Sequence, residues 1–155
     1  MPEVPSPVAG DPAPDFTLPD THGTPTQLAD LRGEAVLVFF FPFAFSGTCT
    51  SELGEIQESL DEFEAAGVRI LAVSTDPVFA LKAWQESEGF DVDLLSDFWP
   101  HGAAARAYGV FDDASGHALR GSFLVDADGI VRWSVVNRRG QRRDLDSHLR
   151  ALAEV

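Results

Sequence analysis

A single cysteine, Cys49, carries all the thiol chemistry of this 155-residue chain. One cysteine cannot close a disulfide within its own chain, so a disulfide framework is excluded and a reducing compartment, by default the cytoplasm, is expected. Long apolar runs are also missing. Nothing approaches the roughly 18 consecutive apolar residues of a spanning helix, and no basic leader with an apolar core opens the chain, so no membrane association is expected. Positive charge is scarce as well: 25 acidic residues against 11 basic ones give a formal net charge of -14, which disfavours nucleic acid or an anionic membrane as a partner. His22, His101, His117 and His148 lie far apart without paired ligand spacing, so no metal site is expected. Residues Asp126 to Gly129 lack most of a calcium loop and read as a turn. No glycine-rich phosphate cradle is present, and no cofactor is expected.

What remains is ordinary globular material, 45% hydrophobic and 23% charged, in a length that suits one domain over residues 1–155. Residues 1–14, rich in proline, read as an extended arm. Short elements at Asp15 to Leu18 and Thr26 to Leu31, with a turn at His22-Gly23, predict a small hairpin decorating the outside. Val36 to Phe41 is apolar throughout and predicts a central strand buried on both faces. Leu53, Ile56, Leu60 and Phe63 recur at helical spacing until Gly67, and Val68 to Val73 is a second apolar strand, which together make a parallel βαβ unit.

Further on, Ser74 to Pro77 reads as a capped helix start, continued by Phe79, Leu81 and Trp84 and ended at Gly89. Asp93 to Ser96 reads as an edge strand and Ala103 to Tyr108 as a short helix. Ser122 to Val125 and Ile130 to Val136 predict an antiparallel hairpin, and Leu145 to Ala153 a closing helix. A central mixed sheet with helices on both faces and an N-terminal β-hairpin is the thioredoxin-like α/β arrangement. Six of the ten arginines, Arg132, Arg138, Arg139, Arg142, Arg143 and Arg150, crowd into the last quarter. A solvated hairpin tip balancing the acidic body is the simpler reading of that 132–150 region, and a docking patch for an anionic reductant is the other.

The cysteine sits where an apolar strand gives way to a helix, in FFFPFAFSGTCTSEL. A thiol at the start of a helix lies in its positive end field, where thiolate is favoured. Ser46, a turn earlier, offers a hydroxyl that donates to a thiolate or accepts a hydrogen bond from a substrate. Pro42 has no N–H and walls off water.

The pattern Pro-x-x-x-Ser-x-x-Cys at Pro42, Ser46 and Cys49 resembles the peroxiredoxin active-site motif. APDFTL, VSTDPVFALKAW, LLSD, AYGV and RGSFLVDADGIVR resemble peroxiredoxin stretches in the usual order. FFPFAFSGTC with LLSDFWPHG is most similar to the one-cysteine, AhpE-like group. The resemblance implies a thiol-dependent peroxidase acting on hydrogen peroxide or organic hydroperoxides, with Cys49 cycling through sulfenic acid. No second cysteine stands at Gly54 or in the C-terminal tail, so regeneration would fall to an external thiol or a thioredoxin- or glutaredoxin-like protein. It also implies that Arg120 acts beside the thiol, that Glu52 orients that arginine, and that the protein is a homodimer.

Phe43, Phe45 and Trp84 are candidates for an apolar substrate mouth, with core or dimer contact as the competing role. Ser46 replaces the threonine common in the family but keeps the hydroxyl. Two rivals compete with the peroxidase reading. Ser46-Gly47-Thr48-Cys49 imitates a thiol-disulfide oxidoreductase motif with serine first, though the second thiol is missing. A non-catalytic thioredoxin-like binding module, with an unreactive buried Cys49, is the other.

Overall fold

The computed structural model describes residues 4–155; the first three residues of the N-terminal arm lie outside the described residues. Its centre is a five-stranded mixed sheet. Strand β3 (Ala35–Phe40) pairs in parallel with β4 (Val68–Ser74), which pairs in parallel with β5 (Asp93–Ser96). On its other side β3 meets β8 (Arg120–Val125) antiparallel, and β8 meets β9 (Val131–Asn137) across the Asp126 to Gly129 turn. The apolar run of β3 is therefore central: Leu37, Phe39 and Phe41 face one core, and Val36, Val38 and Phe40 face another.

The first core is covered by α1 (Gly47–Glu58), α2 (Leu60–Ala65), α3 (Val78–Glu88) and α5 (Leu145–Ala151). Leu53, Ile56 and Phe63 do line one face, as their spacing predicts, but the helix is interrupted at Ser59 and continues as a separate segment. The second core is covered by α4 (Ala103–Ala107) and by the N-terminal hairpin, β1 (Thr17–Pro19) with β2 (Pro25–Gln27). That hairpin is more than an outer decoration. Phe16, Leu18 and Leu28 are buried beside Tyr108 and Val73, because the face of the sheet opposite α1 has only one short helix to cover it. A second hairpin, β6 (Phe111–Asp112) with β7 (His117–Ala118), was not legible in the sequence, since two-residue strands leave no alternation to read. The arm is extended where described, and its residues 10–13 pair with residues 129–131 at the start of β9.

Two further expectations need correction. The predicted capping residue before α3 does not cap it: Pro77 holds the N-cap position, and no side chain closes the helix. Asp76 instead faces the loop after β3, where its Oδ2 accepts from the Ala44 N–H at 2.8 Å and the Ser74 hydroxyl at 2.7 Å. The Asp76 carbonyl accepts from the Ser96 hydroxyl at 2.6 Å, so one residue ties together the C-terminal ends of β3, β4 and β5. Trp84 is the second correction. It is only 1% exposed, packed against Phe41 and Phe90, and its Nε1 donates to Thr50 Oγ1 at 3.2 Å. It supports the first turn of α1 from below and lines no opening.

Because Trp84 fills the space under that turn, Trp84→Ala is expected to destabilise the protein by about 3–5 kcal/mol, and Trp84→Phe by much less. Chemical denaturation of the two variants measures this; equal, small losses would show that the ring does not support the helix.

Candidate active site

The strand β3 ends and a six-residue loop, residues 41–46, turns into α1, so the first turn of that helix stands at the C-terminal edge of the parallel strands. Open α/β sheets place their chemistry at this edge. Pro42 is buried in the loop. Phe45 adopts φ 68°, a left-handed conformation that costs a non-glycine residue roughly 1–2 kcal/mol, and the Asp76 contact to Ala44 helps to hold it. Ser46 is the N-cap of α1, and its Oγ accepts from the Cys49 backbone N–H at 3.2 Å. The serine thus uses a lone pair on the helix, and its hydroxyl proton stays free to donate. Cys49 is the third helical residue and is 1% exposed.

Alternation along β8 brings the charged groups to the same side. Leu124 belongs to the core beneath α1, so Ser122 and Arg120, two and four residues earlier, point the same way. The register Phe39 to Ser122 carries Arg120 past the end of β3, to the loop before Cys49. There Arg120 Nη1 lies 3.3 Å from Cys49 Sγ, and the same nitrogen donates to Glu52 Oε1 at 2.6 Å. Arg120 Nε donates to the Arg139 carbonyl at 2.7 Å, which locks the guanidinium plane. Arginine and glutamate are 3% and 0% exposed, so this pair is buried.

Glu52 also holds a second arginine that sequence reasoning missed. Arg143 donates from its backbone N and Nε to Glu52 Oε2, at 2.8 and 3.0 Å, and from Nη2 to Oε1 at 3.1 Å. Its Nη1 donates to the Gly121 carbonyl at 3.1 Å and to Ser122 Oγ at 3.0 Å, and its guanidinium lies over the Phe39 ring at 3.5 Å. Reading residues 132–150 as a solvated arginine tip therefore fails at this position: Arg143 is 1% exposed, while the other five arginines of that cluster are exposed. Within a run reading RRGQRRD, nothing local marks which arginine turns inward. The only available signal was Glu52 itself, a carboxylate that needs more than one donor once buried.

Two guanidiniums and one carboxylate leave one surplus positive charge beside Sγ, in a place shut off from water. Burial works to raise the Glu52 carboxyl, but the hydrogen bonds and charge of Arg143, with the charge of Arg120 behind them, outweigh it and hold it below its ordinary 4.5. Behind the pair, burial first and then the charge of Arg143 push His148 from 6.5 down to about 4. Phe43 and Phe45 are 39% and 58% exposed at the rim, the Phe43 ring tilted against that of the buried His117 with centroids 4.9 Å apart. Of the three mouth candidates these two reach the surface, and Trp84 does not. Among the described residues, no group of three or more His, Cys, Asp and Glu side chains stands close enough to hold a metal ion. No helix among them is long and apolar enough to cross a membrane.

The AhpC/TSA family profile matches residues 9–134. Alkyl hydroperoxide reductase E of Mycobacterium tuberculosis is 46% identical over 139 residues, which are 87% of this chain and 89% of that protein. A peroxiredoxin of Thermoplasma volcanium is 33% identical over 151 residues, covering 94% of this chain and 73% of its own. Among solved structures, the peroxidoxin BcpB of Mycobacterium tuberculosis matches with a TM-score of 0.84 at 31% identity, over 95% of this chain and 97% of that one. The AhpC of Enterococcus faecalis matches with a TM-score of 0.86 at 31% identity, over 95% and 91%.

The buried groups make stability depend on pH. Between pH 6.5 and about 4 the unfolded chain takes up a proton at His148 that the folded chain refuses, so this stability is complete above pH 6.5 and is lost as pH falls toward 4. Glu52 acts in the same direction below about 4.5, because its folded carboxyl binds a proton less readily than the unfolded one. His148 alone is expected to remove about 3 kcal/mol across its window, at roughly 1.4 kcal/mol per pH unit. Thermal melts from pH 7 to 4.5 should show the decline, and His148→Gln should flatten it; parallel curves for the two proteins would exclude His148 as its source.

Proposed function

The chain belongs to the AhpC/TSA family of peroxiredoxins and is a thiol peroxidase with a single cysteine, and from that premise we propose that Cys49 is the thiol that reduces peroxide, with Arg120, Ser46 and Pro42 completing its site. The observation that carries this reading is one nitrogen: Arg120 Nη1, 3.3 Å from Sγ and held there by Glu52 at 2.6 Å. A guanidinium keeps its charge and offers several donors, so it can face both the sulfur and the oxygens of a peroxide.

In the reaction the Cys49 thiolate attacks the terminal oxygen of a hydroperoxide. An S–O bond forms as the O–O bond breaks, the sulfur is oxidised to sulfenic acid, and the alkoxide or hydroxide leaves to take a proton as alcohol or water. The surplus positive charge of the Arg120, Glu52 and Arg143 cluster balances an anion at the sulfur and then the charge moving onto the leaving oxygen. Ser46, whose oxygen already accepts from the helix, has its proton available for the attacking or leaving group. Buried Pro42 presents no N–H that would draw water to the sulfur.

With Cys49 the chain's only cysteine, the sulfenic acid has no internal thiol to meet. An external thiol, small or carried by a thioredoxin- or glutaredoxin-like protein, would condense with it to a mixed disulfide and release water, and a second thiol would then free Cys49. Hydrogen peroxide and organic hydroperoxides both fit, the latter against Phe43 and Phe45 at the rim. A reducing cytoplasm suits such a cycle. Phe45, Phe98 and Trp99 on the loops that Asp76 gathers, and Phe79 in the first turn of α3, are exposed large apolar side chains, which supports a homodimer.

Cys49→Ser should abolish peroxide consumption, and one equivalent of peroxide should add one oxygen to the wild-type mass in a form trapped by dimedone. Retained consumption in the serine variant would sink the assignment; absence of the added oxygen would favour a binding module. Arg120→Met should slow the peroxide step by about a hundredfold or more, as expected for loss of a charged donor at developing charge. A loss below about threefold would remove Arg120 from the chemistry.

A further inference from the structure

Behind the cysteine, the hydrogen bonds do not stop at Arg143. Ser122 Oγ accepts from Arg143 Nη1 at 3.0 Å and lies 2.8 Å from His148 Nε2. A guanidinium only donates, so the serine's own proton is free, and His148 Nε2 is the partner placed to take it. That makes Nε2 the unprotonated nitrogen and leaves Nδ1–H to donate to the Asp144 carbonyl at 3.0 Å. Every proton in the row then has one direction, from Arg143 to Ser122, from Ser122 to His148, and from His148 to the backbone at the start of α5. Serine is 0% exposed and histidine 1%, so neither can exchange these partners for water.

We propose that Ser122 and His148 are positioning residues for the peroxide reaction: through Arg143 and Glu52 they hold the Arg120 guanidinium on the Cys49 sulfur. The imidazole performs this task only when neutral. A protonated ring would aim a second donor at Ser122 Oγ, strand the serine's proton and add a positive charge next to Arg143. The charged groups facing His148 are Arg143 across the serine, Glu52 on α1, and Asp144 at the head of its own helix. Phe39 of β3 and Trp133 of β9 close the remaining sides, at ring distances of 6.0 and 4.8 Å. An apolar side chain would fill the same space with less desolvation, so the imidazole is explained by what its nitrogen accepts.

The proposal rests on Cys49 as the peroxide-reducing thiol, and iodoacetamide alkylation reads the surroundings of the sulfur whether or not that holds. Three variants test it: His148→Phe, which fills the space without an acceptor; His148→Gln, which restores an acceptor without titrating; and Ser122→Ala, which cuts the row. The phenylalanine and alanine variants should fold, consume hydrogen peroxide about tenfold more slowly and alkylate more slowly at neutral pH, while glutamine recovers most of both rates. In an Arg120→Met background the phenylalanine substitution should have almost no further effect, since the group it positions is gone. Unchanged rates in folded His148→Phe, equal losses with phenylalanine and glutamine, or full additivity in the Arg120→Met background would each overturn the proposal. Should the phenylalanine variant not fold, Ser122→Ala is read by the same criteria, and unchanged rates there overturn it.

Discussion

Everything around Cys49 depends on one carboxylate that has no access to water. Glu52 receives four hydrogen bonds, two on each oxygen, from Arg120 and from the side chain and backbone of Arg143. A carboxylate so placed is stable only because every lone pair is met, and the two arginines are stable only because the carboxylate is there. Removing either side would strand charge in the core at a cost of about 3–5 kcal/mol. The arrangement is therefore all or nothing, and that gives a guanidinium on a flexible stem a fixed distance from a sulfur.

The parts of this cluster come from distant places in the chain, and the sheet assembles them. Helix α1 supplies the thiol and the carboxylate one turn apart, β8 supplies Arg120 and Ser122 on one face, and the segment after β9 supplies Arg143 and His148. Phe39, at the middle of the sheet, lies under the Arg143 guanidinium and beside the His148 ring. The same strand that anchors the fold thus forms the floor of the site. Asp76 does the corresponding work on the other side of the loop, where it holds the backbone of Ala44 against the ends of β4 and β5. Local strain at Phe45 is tolerated because these contacts leave the loop no alternative path.

Much of this is legible in the residues themselves. The alternating and continuous apolar runs of β3, β4 and β8 specify buried strands by their own composition, and the thiol at a strand-to-helix junction, with Ser46 one turn before it, follows from local order. What misled was also local. Asp76 looks like a cap because a short acid before proline usually is one, and Arg143 looks like a surface cation because its neighbours are. Residues whose partners lie 91 positions away, as Glu52 does from Arg143, show nothing in their own neighbourhood of the company they will keep.

Composition and local order specify the site's ingredients: one cysteine, no second thiol in the chain, and a motif that sets that cysteine at the start of a helix with a serine one turn before it. They specify the strand order's raw material too, since periodicity and β-branched runs are properties of short stretches. The fold adds what no short stretch shows: Arg143 buried beside Arg120 on the Glu52 carboxylate, with a serine and a histidine behind it. The physical reason is that desolvation and charge pairing are set by what surrounds a group in space, and packing a sheet brings together residues that the chain keeps far apart.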